Sequence, residues 1–411
     1  MRKKRKLKLR AVFLAFAMIL SISTGSISVF AEEGGGATDY KITGTEAQPA
    51  TIKLKKTLIA DKGVNLPNLT FNFTATKKSV NDVVVNDPQN DTTMPSITFN
   101  GSTFSNQDDI NDSNFNAQDK VYKITKEQDV NLTGFTHAGK YEWIIAETKD
   151  NQQNVKYDTN TYTLTAYVAN NAAGNGYFVK TITVKNNKGD KVENLEFVNK
   201  YVKNNGSLVI SKILADSNKA DTGANKHTEN FNDKSKEFSF TINLIKPNSA
   251  DENLTKVTAT YHKQDGQTEN KDINFGQDQN FTLKDGEKLE FDHNLPIGTT
   301  YTVKENAVEN YTPSAKVTQN GTVLTFDAKQ VKEGSKNTEL NAADGANKDD
   351  VNYENKLYIG EGENKVEFIN NYDFIVLTGI VMNNLPFILM VVVAVLGFGI
   401  YAIAKGRRYS H

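Results

Sequence analysis

The chain has 411 residues, a net charge of −1 and no cysteine, and its length alone suggests two or three domains. Seven basic residues precede residue 11 and three follow residue 404, so the segment between them carries a net charge of −11. An acidic chain of this kind is a poor candidate for nucleic-acid binding, which depends on basic patches. Without cysteine there is no disulfide stapling, so any covalent reinforcement must come from other chemistry.

The N-terminal residues have the composition of a secretory signal. The basic start is followed by an apolar run from Ala11 to Leu20 and by a small-residue cleavage site that ends at Ala31. This order predicts a signal peptide over 1–31. The alternative, an N-terminal membrane anchor, is disfavoured because the apolar run is shorter than a bilayer span.

The C-terminal residues predict a transmembrane segment over 380–404. The run from Leu385 to Ala404 is long and apolar enough to cross a bilayer. The basic tail at 405–411 follows it and is expected to remain in the cytoplasm. The two ends together predict an exported protein held at the cell surface.

Between these ends the sequence predicts antiparallel β-strands. The Gly-rich, polar stretch 32–50 is expected to be a flexible leader. From residue 51 onward, short runs of alternating apolar and polar residues are interrupted by Asn, Asp and Gly clusters, as in strands with one buried face. The polar stretch 105–120 predicts a surface loop or a marginal helix. The strands predicted for a first domain at 51–201 are 52–58, 69–75, 121–124, 141–147, 161–168, 177–184 and a closing strand that ends at Tyr201.

A second series of alternating runs predicts a second domain at 206–373. The stretch 327–362 is rich in Asn, Asp, Gly and Lys and is expected to be a long solvated insertion. The predicted fold class is all-β, with two β-sandwich domains in tandem. The strands expected in the second domain are 208–214, 238–244, 257–261, 281–283, 301–305, 323–326 and 366–372.

The two series share a triplet of polar residues in the same order. Each has a lysine at the end of its first alternating run, a glutamate at the end of a middle strand, and an asparagine two residues after a phenylalanine in its closing strand. The lysine and glutamate are 91 residues apart in one series and 93 in the other. The triplets are Lys56, Glu147 and Asn199 in the first series and Lys212, Glu305 and Asn370 in the second.

Period-two alternation places each triplet on the buried face of its strands, because residues two apart point to the same side of a sheet. Burial makes a charged lysine or glutamate costly and shifts both toward their neutral forms. A neutral lysine is a nucleophile, and a protonated glutamate can polarise a carboxamide and move protons to the leaving group. The expected product is a Lys–Asn isopeptide bond, formed once, by self-catalysis, with loss of ammonia. The alternative is a pair of ordinary Lys–Glu salt bridges with a capping Asn.

These triplets resemble those of the streptococcal backbone pilins, which are built from isopeptide-containing, immunoglobulin-like (Cna B-type) domains. The resemblance covers most of the chain and extends to two further stretches, Tyr157–Tyr162 and Phe281–Glu287. It implies a structural shaft subunit, or major pilin, of a covalently polymerised pilus rather than a turnover enzyme. The crosslinks that it implies are Lys56 to Asn199 with Glu147 as catalyst, and Lys212 to Asn370 with Glu305 as catalyst.

Just before the membrane segment, Ile375-Val376-Leu377-Thr378-Gly379 resembles a sortase signal. The resemblance implies cleavage between Thr378 and Gly379 and transfer of the Thr378 carboxyl group to an amine. Leu377 stands where the streptococcal pilin motif has proline, which suggests a dedicated pilus-type sortase. The alternative is a retained membrane anchor with an accidental Thr-Gly.

Polymerisation needs an accepting amine, and Lys191 is the candidate. In the resembling pilins this lysine lies shortly before the closing asparagine of the first domain and is followed by valine. Lys191 precedes Val192 but has one residue more before the asparagine, and Lys185 and Lys188 remain open. The link would join Thr378 of one subunit to Lys191 of the next. The partners implied are identical subunits head to tail, minor pilins, cell-wall peptidoglycan and the sortase.

No other motif in the sequence predicts catalysis or metal binding. The five histidines lack metal-ligand spacing, and hydrolase, phosphate-binding and dinucleotide-binding motifs are absent. No cofactor or metal is expected. The alternative function is a monomeric, cell-wall-anchored adhesin that binds host matrix. It would keep the triplets and the sorting signal but need no linking lysine.

Overall fold

The computed structural model describes residues 40–215, 234–346 and 356–372, together with helical residues at 390–391 and 394–396. The predicted signal peptide, the sortase motif with Thr378 and Gly379, and the basic tail lie outside the described residues, as does most of the predicted transmembrane segment. Within the part of the chain that is described, no helix is both long and apolar enough to cross a membrane.

The described residues form an all-β protein, which confirms the all-β part of the predicted fold class. A four-residue helix α1 (Asn106–Asp109) and a short 3₁₀ helix (Asp112–Asn114) lie in the stretch expected to be a loop or marginal helix. The strands before residue 202 are β1 (Ile42–Thr43), β2 (Ile52–Asp61), β3 (Leu69–Phe71), β4 (Phe73–Val80), β5 (Val83–Val84), β6 (Ser102–Phe104), β7 (Phe115–Asn116), β8 (Val121–Val130), β9 (Gly139–Glu147), β10 (Val155–Lys156), β11 (Thr161–Asn170), β12 (Tyr177–Lys185), β13 (Lys191–Val192) and β14 (Leu195–Tyr201).

The strands after residue 205 include the second predicted series, although the run at 323–326 forms only a two-residue strand. They are β15 (Gly206–Leu214), β16 (Phe238–Ile245), β17 (Lys256–His262), β18 (Thr268–Asn274), β19 (Gln279–Leu283), β20 (Lys288–Leu295), β21 (Thr300–Glu305), β22 (Tyr311–Gln319), β23 (Thr322–Val323), β24 (Lys332–Glu333), β25 (Leu340–Asn341), β26 (Leu357–Tyr358) and β27 (Lys365–Tyr372). The strands at 268–274, 288–295 and 311–319 were not predicted.

The N-terminal module, residues 42–201, is a sandwich of two main sheets. One has the strand order β1-β12-β11-β9-β4-β5 with β13 paired to β12, and the other has the order β10-β14-β2-β8-β7. A two-stranded ribbon of β3 and β6 accompanies them. The rings of Phe73 in β4 and Phe197 in β14 meet with centroids 5.2 Å apart, so the sheets pack face to face. In the second sheet β2 lies parallel to the closing strand β14.

The C-terminal module, residues 206–372, repeats this plan. Its larger sheet has the order β18-β17-β20-β15-β27-β22-β23 with β24 on β22, and its smaller sheet has the order β19-β16-β21-β25 with β26 on β21. The rings of Phe240 in β16 and Phe368 in β27 join the two sheets, with centroids 5.1 Å apart. The opening strand β15 again lies parallel to the closing strand β27.

The leader expected to be flexible over 32–50 is structured from Ile42 onward. Ile42 and Thr43 form β1, which pairs with β12. The backbone N–H of Ala50 donates to the carbonyl of Val179, and Ala50 is buried. The expectation was wrong for this part because Ile42 and Ala50 supply apolar contacts that fix a segment otherwise polar in composition.

The stretch 327–362, expected to be a solvated insertion, contributes to the core. Leu340 is buried and lies opposite Glu305 where β25 pairs with β21. Leu357 and Ile359 are fully buried, and β26 pairs with β21. The expectation was wrong because these apolar residues are irregularly spaced among polar ones and so lack the alternation by which strands are recognised.

The two modules contact each other at the end of β2. The buried Asp61 carboxylate accepts a hydrogen bond from the Ser249 hydroxyl, and burial raises the pKa of Asp61 to about 6. Glu361 accepts hydrogen bonds from the Asn65 backbone N–H at 2.7 Å and from Lys203 Nζ at 2.5 Å. These contacts join the C-terminal end of β2 to turns of the C-terminal module.

Candidate crosslinking sites

Lys56, Glu147 and Asn199 meet inside the N-terminal module. Lys56 in β2 and Asn199 in β14 belong to one sheet, whereas Glu147 ends β9 of the facing sheet. The Lys56 Nζ atom is 2.7 Å from Glu147 Oε1, and Asn199 Nδ2 donates a hydrogen bond to the same oxygen at 2.9 Å. All three residues are buried. One glutamate oxygen therefore contacts both nitrogens across the interior of the sandwich.

Burial shifts Lys56 toward its neutral form. Its Nζ lies 2.7 Å from Glu147 Oε1 and 4.6 Å from the centroid of the Phe71 ring, and both contacts favour the charged amine. Burial lowers the pKa of Lys56 to about 8, although the hydrogen-bonding and charge effects of Glu147 oppose the shift. Burial also raises the pKa of Glu147. The shifts bring the ion pair closer in free energy to a neutral amine beside a carboxylic acid.

Lys212, Glu305 and Asn370 meet in the same way inside the C-terminal module. Lys212 Nζ donates to Glu305 Oε1 at 3.1 Å and to Oε2 at 3.3 Å, and Asn370 Nδ2 donates to Oε1 at 2.5 Å. The Lys212 Nζ atom lies 4.2 Å from the centroid of the Phe238 ring. Burial lowers the pKa of Lys212 to about 8 and raises the pKa of Glu305.

The two sites occupy the same register of their parallel strands. Lys56 lies opposite Phe197 in the β2–β14 pair, and Lys212 lies opposite Phe368 in the β15–β27 pair. Each asparagine follows its phenylalanine by two residues, which returns it to the same face of the sheet. The recurrence of this register in both modules means that lysine and asparagine are brought together by backbone pairing.

The sheets that carry the glutamates also correspond in their strand pairing. Phe73 lies opposite Glu147, and Phe240 lies opposite Glu305. In each module the phenylalanine two residues before this one covers the lysine ammonium. Sequence reasoning missed these aromatic partners, although the repeated Phe-x-Phe at 71–73 and 238–240 was the available signal.

The asparagine side chains are oriented so that the glutamate meets the amide nitrogen, whereas a glutamate that polarised the carboxamide by donating a hydrogen bond would meet its oxygen. In both modules the amide nitrogen faces the glutamate. Asn199 Oδ1 instead accepts a hydrogen bond from the backbone N–H of Asp158 at 2.8 Å, while the buried Asn370 Oδ1 has no donor among the described residues. The glutamates are thus placed to act on the leaving nitrogen.

Comparison with known proteins identifies relatives of both modules. Residues 52–202 match the Spy0128-like isopeptide containing domain, and residues 224–372 match a domain of unknown function, DUF7601. A curated relative named Pilin, from Streptococcus pyogenes serotype M1, is 29% identical over 286 residues, which cover 68% of this chain and 72% of the relative. The chain is thus similar in sequence to a streptococcal pilin, and its N-terminal module to the Spy0128-like isopeptide containing domain.

Solved pilus proteins are also similar to this chain. The major pilin from Streptococcus pyogenes is 23% identical, with a TM-score of 0.32 over 80% of this chain and all of the solved chain. The pilus-presented adhesin Spy0125 (Cpa) is 17% identical, with a TM-score of 0.23 over 52% of this chain and 36% of the adhesin.

The three candidate linking lysines lie together at one sheet edge. Lys191 in β13 is partly buried and lies opposite Lys185 of β12. Lys188 is exposed in the turn between them, which the Gly189 backbone closes with a φ of +88°. A glycine fits this left-handed conformation. The described residues contain no group of three or more potential metal ligands.

Proposed function

We propose that this chain is a shaft subunit, or major pilin, of a covalently polymerised pilus on a Gram-positive cell surface, and that each module carries one self-generated Lys–Asn isopeptide bond. The observation that carries the proposal is the buried Lys–Glu–Asn cluster, which recurs on the same strand register in both modules. A buried ion pair is weak support for stability, because desolvation offsets its attraction. A carboxamide placed beside the pair in both copies favours chemistry over a structural salt bridge.

The reaction needs only the three side chains. The neutral lysine amine attacks the asparagine Cγ and forms the new C–N bond. The glutamate then carries a proton from the attacking nitrogen to Nδ2, which departs as ammonia. Oε1 contacts both nitrogens in each module, so the same oxygen can accept the proton and deliver it. The glutamate ends in its starting state, and no cofactor or metal takes part.

The crosslink would strengthen each module where the first and last strands run side by side. It would close loops of 143 residues in the N-terminal module and 158 in the C-terminal module. By analogy with disulfides, each loop contributes about 5 kcal/mol in the chain-entropy account. A pulling force along the fibre would also pass between the two parallel strands and bypass the rest of the sandwich.

The remaining parts of the proposal concern export and assembly. We infer domains at 51–201 and 206–373, each an immunoglobulin-like (Cna B-type) sandwich, a signal peptide at 1–31 and a sorting tail at 375–411. A pilus-type sortase would cleave after Thr378 and join its carboxyl group to Lys191 of an identical subunit. Minor pilins and cell-wall peptidoglycan would complete the assembly.

Polymerisation is tested on boiled SDS gels of cell-wall extracts from cells that express the chain with its pilus-type sortase. The proposal predicts a ladder of high-molecular-weight species. Lys191→Arg keeps the charge but removes the accepting amine, and should abolish the ladder. Lys185→Arg and Lys188→Arg are the matched controls and should leave it intact. A ladder that survives Lys191→Arg would exclude Lys191 as the link, and the absence of any ladder would favour the monomeric adhesin.

A further inference from the structure

We propose that the backbone N–H of Asp158 stabilises the oxyanion formed on Asn199 Oδ1 during crosslinking, and that the Asp158 carboxylate is the positioning group that holds this N–H in place. The proposal rests on the isopeptide chemistry proposed above and adds a residue outside the triplet. It also makes the N-terminal site the faster of the two.

The contact of Asp158 with Asn199 fixes the orientation of the carboxamide. Asp158 lies in the turn between β10 and β11, and its backbone N–H donates to Asn199 Oδ1 at 2.8 Å. A backbone N–H can only donate, so the atom that faces it must be the amide oxygen. The amide nitrogen is thereby turned toward Glu147. One side of the carboxamide faces a fixed donor and the other faces the proton carrier.

The Asp158 side chain ties its turn to the strand that carries the asparagine. Its Oδ2 accepts a hydrogen bond from the backbone N–H of Val198 at 2.8 Å, and its Oδ1 accepts one from the backbone N–H of Asn160 at 2.8 Å. Val198 immediately precedes Asn199. The carboxylate therefore sets the distance between the Asp158 N–H and the reacting carboxamide.

This N–H has the geometry of an oxyanion donor. When the Lys56 amine attacks Cγ, the electron pair of the C=O bond moves to Oδ1, and it returns when ammonia departs. A fixed donor within hydrogen-bonding distance of that oxygen stabilises the charge as it develops, and removing one such donor typically slows a reaction about 10²–10³-fold. The donor is already aimed at Oδ1 before reaction, so its effect needs no rearrangement.

An acidic turn of the C-terminal module, between β19 and β20, contacts a different strand. Asp285 accepts a hydrogen bond from the backbone N–H of Leu214 at 2.8 Å, so this turn holds the lysine strand instead of the asparagine strand. Asn370 Oδ1 is buried without a donor among the described residues. The second crosslink is therefore expected to form more slowly than the first, with its developing oxyanion less well stabilised.

The charge of the Asp158 carboxylate also affects the pKa values of Lys56 and Glu147. The charged groups acting on Lys56 are Glu147 and Asp158, and those acting on Glu147 are Lys56 and Asp158. The negative charge of Asp158 raises the pKa of both members of the pair. Removing that charge while keeping the hydrogen-bond acceptor should move both limbs of the pH–rate profile to lower pH.

The test follows both crosslinks in the full chain during cell-free synthesis. A pulse of labelled chain is chased at several pH values, and the two crosslinked peptides are quantified by mass spectrometry after proteolysis. We expect the Lys56–Asn199 peptide to appear before the Lys212–Asn370 peptide. Asp158→Ala should slow the first about 10²-fold and leave the second unchanged. Asp158→Asn should restore most of the rate and shift the pH profile downward.

An ester in place of the Tyr157–Asp158 peptide bond removes the Asp158 N–H and keeps the side chain. It therefore separates stabilisation of the oxyanion from an effect of the side chain on folding. It should slow the first crosslink as much as Asp158→Ala, while Asp285→Asn, the matched control, should not slow it. A first crosslink that forms at the wild-type rate in the ester variant overturns this proposal alone. Equal slowing of both crosslinks by Asp158→Ala would also overturn it. A wild-type chain without the Lys56–Asn199 peptide overturns the crosslinking function as well.

Discussion

The two modules place the same three side chains by the same strand pairing, yet they differ in what surrounds the asparagine oxygen. In the N-terminal module the turn at Asp158 donates to Asn199 Oδ1, whereas in the C-terminal module the turn at Asp285 binds the strand that carries Lys212. Sheet register sets the positions of the three side chains, which the modules share. Turns set the hydrogen bonding of the asparagine oxygen, in which the modules differ. Strand register brings the three side chains together in both modules, and in our proposal turn geometry would set how fast they react.

The largest expected effect comes from removing one proton carrier at a time. Glu147→Gln should slow the first crosslink about 10²–10⁴-fold, the range typical of losing a general acid–base, and leave the second untouched. Glu305→Gln should do the reverse. Crosslinked peptides quantified after proteolysis give both rates in one sample. Glu142→Gln, in the same strand as Glu147, is the control. Equal slowing of both crosslinks by one variant would contradict independent sites.

The two crosslinks should stabilise their modules by similar amounts, although they are expected to form at different rates. Lys56→Met and Lys212→Met each remove one crosslink and keep an unbranched side chain beside the phenylalanine ring. Each should lower the free energy of unfolding of its own module by about 5 kcal/mol, because the two loops are of similar length. Hydrogen exchange during chemical denaturation resolves the modules separately. If Lys56→Met left the exchange of the N-terminal module unchanged, the crosslink would not be stabilising it.

The pH dependence of crosslinking should be similar in the two modules. The reactive state is a neutral amine beside a carboxylic acid, which holds the same number of protons as the ion pair. Its population is therefore constant between the raised glutamate pKa and the lysine pKa of about 8. The rate should be level near neutral pH and fall below and above this range. Pulse–chase synthesis at stepped pH measures it, and a rate that keeps rising well above pH 8 would contradict the neutral-pair mechanism.

The smallest expected effect concerns the contact between the modules. The pKa of buried Asp61, about 6, lies above its ordinary value of 3.8, so the docked state binds a proton more tightly than an exposed aspartate does. Docking should strengthen as pH falls from about 7 to about 4, by at most about 3 kcal/mol.

Hydrogen exchange at the turns around Ser249 and Glu361, compared between pH 7 and pH 5, reports this effect. Asp61→Asn resembles the protonated form and should remove most of the pH dependence. If acidification opened these turns in the wild-type chain, the contact would not depend on a protonated Asp61, and the modules would be held together by other groups.

Much of the site could be predicted from the sequence because it lies in strands. Alternation alone placed Lys56 with the buried residues of β2, and the parallel pairing of first and last strands then brings it beside Asn199. The Asp158 N–H could not be predicted, because a donor in a turn is defined by backbone conformation and not by residue type. The packing of Leu340 against the second site was missed because isolated apolar residues in polar sequence show no periodicity.

The central claim is that each module closes its own Lys–Asn bond, and the intact mass tests it most directly. Residues 32–373, which include every strand described here, would be produced in a cytoplasm without sortase and weighed under denaturing conditions. The account predicts a mass lower than calculated by two molecules of ammonia, and Glu147→Ala and Glu305→Ala should each restore one. A folded protein with the full calculated mass would contradict it and leave the two clusters as buried salt bridges.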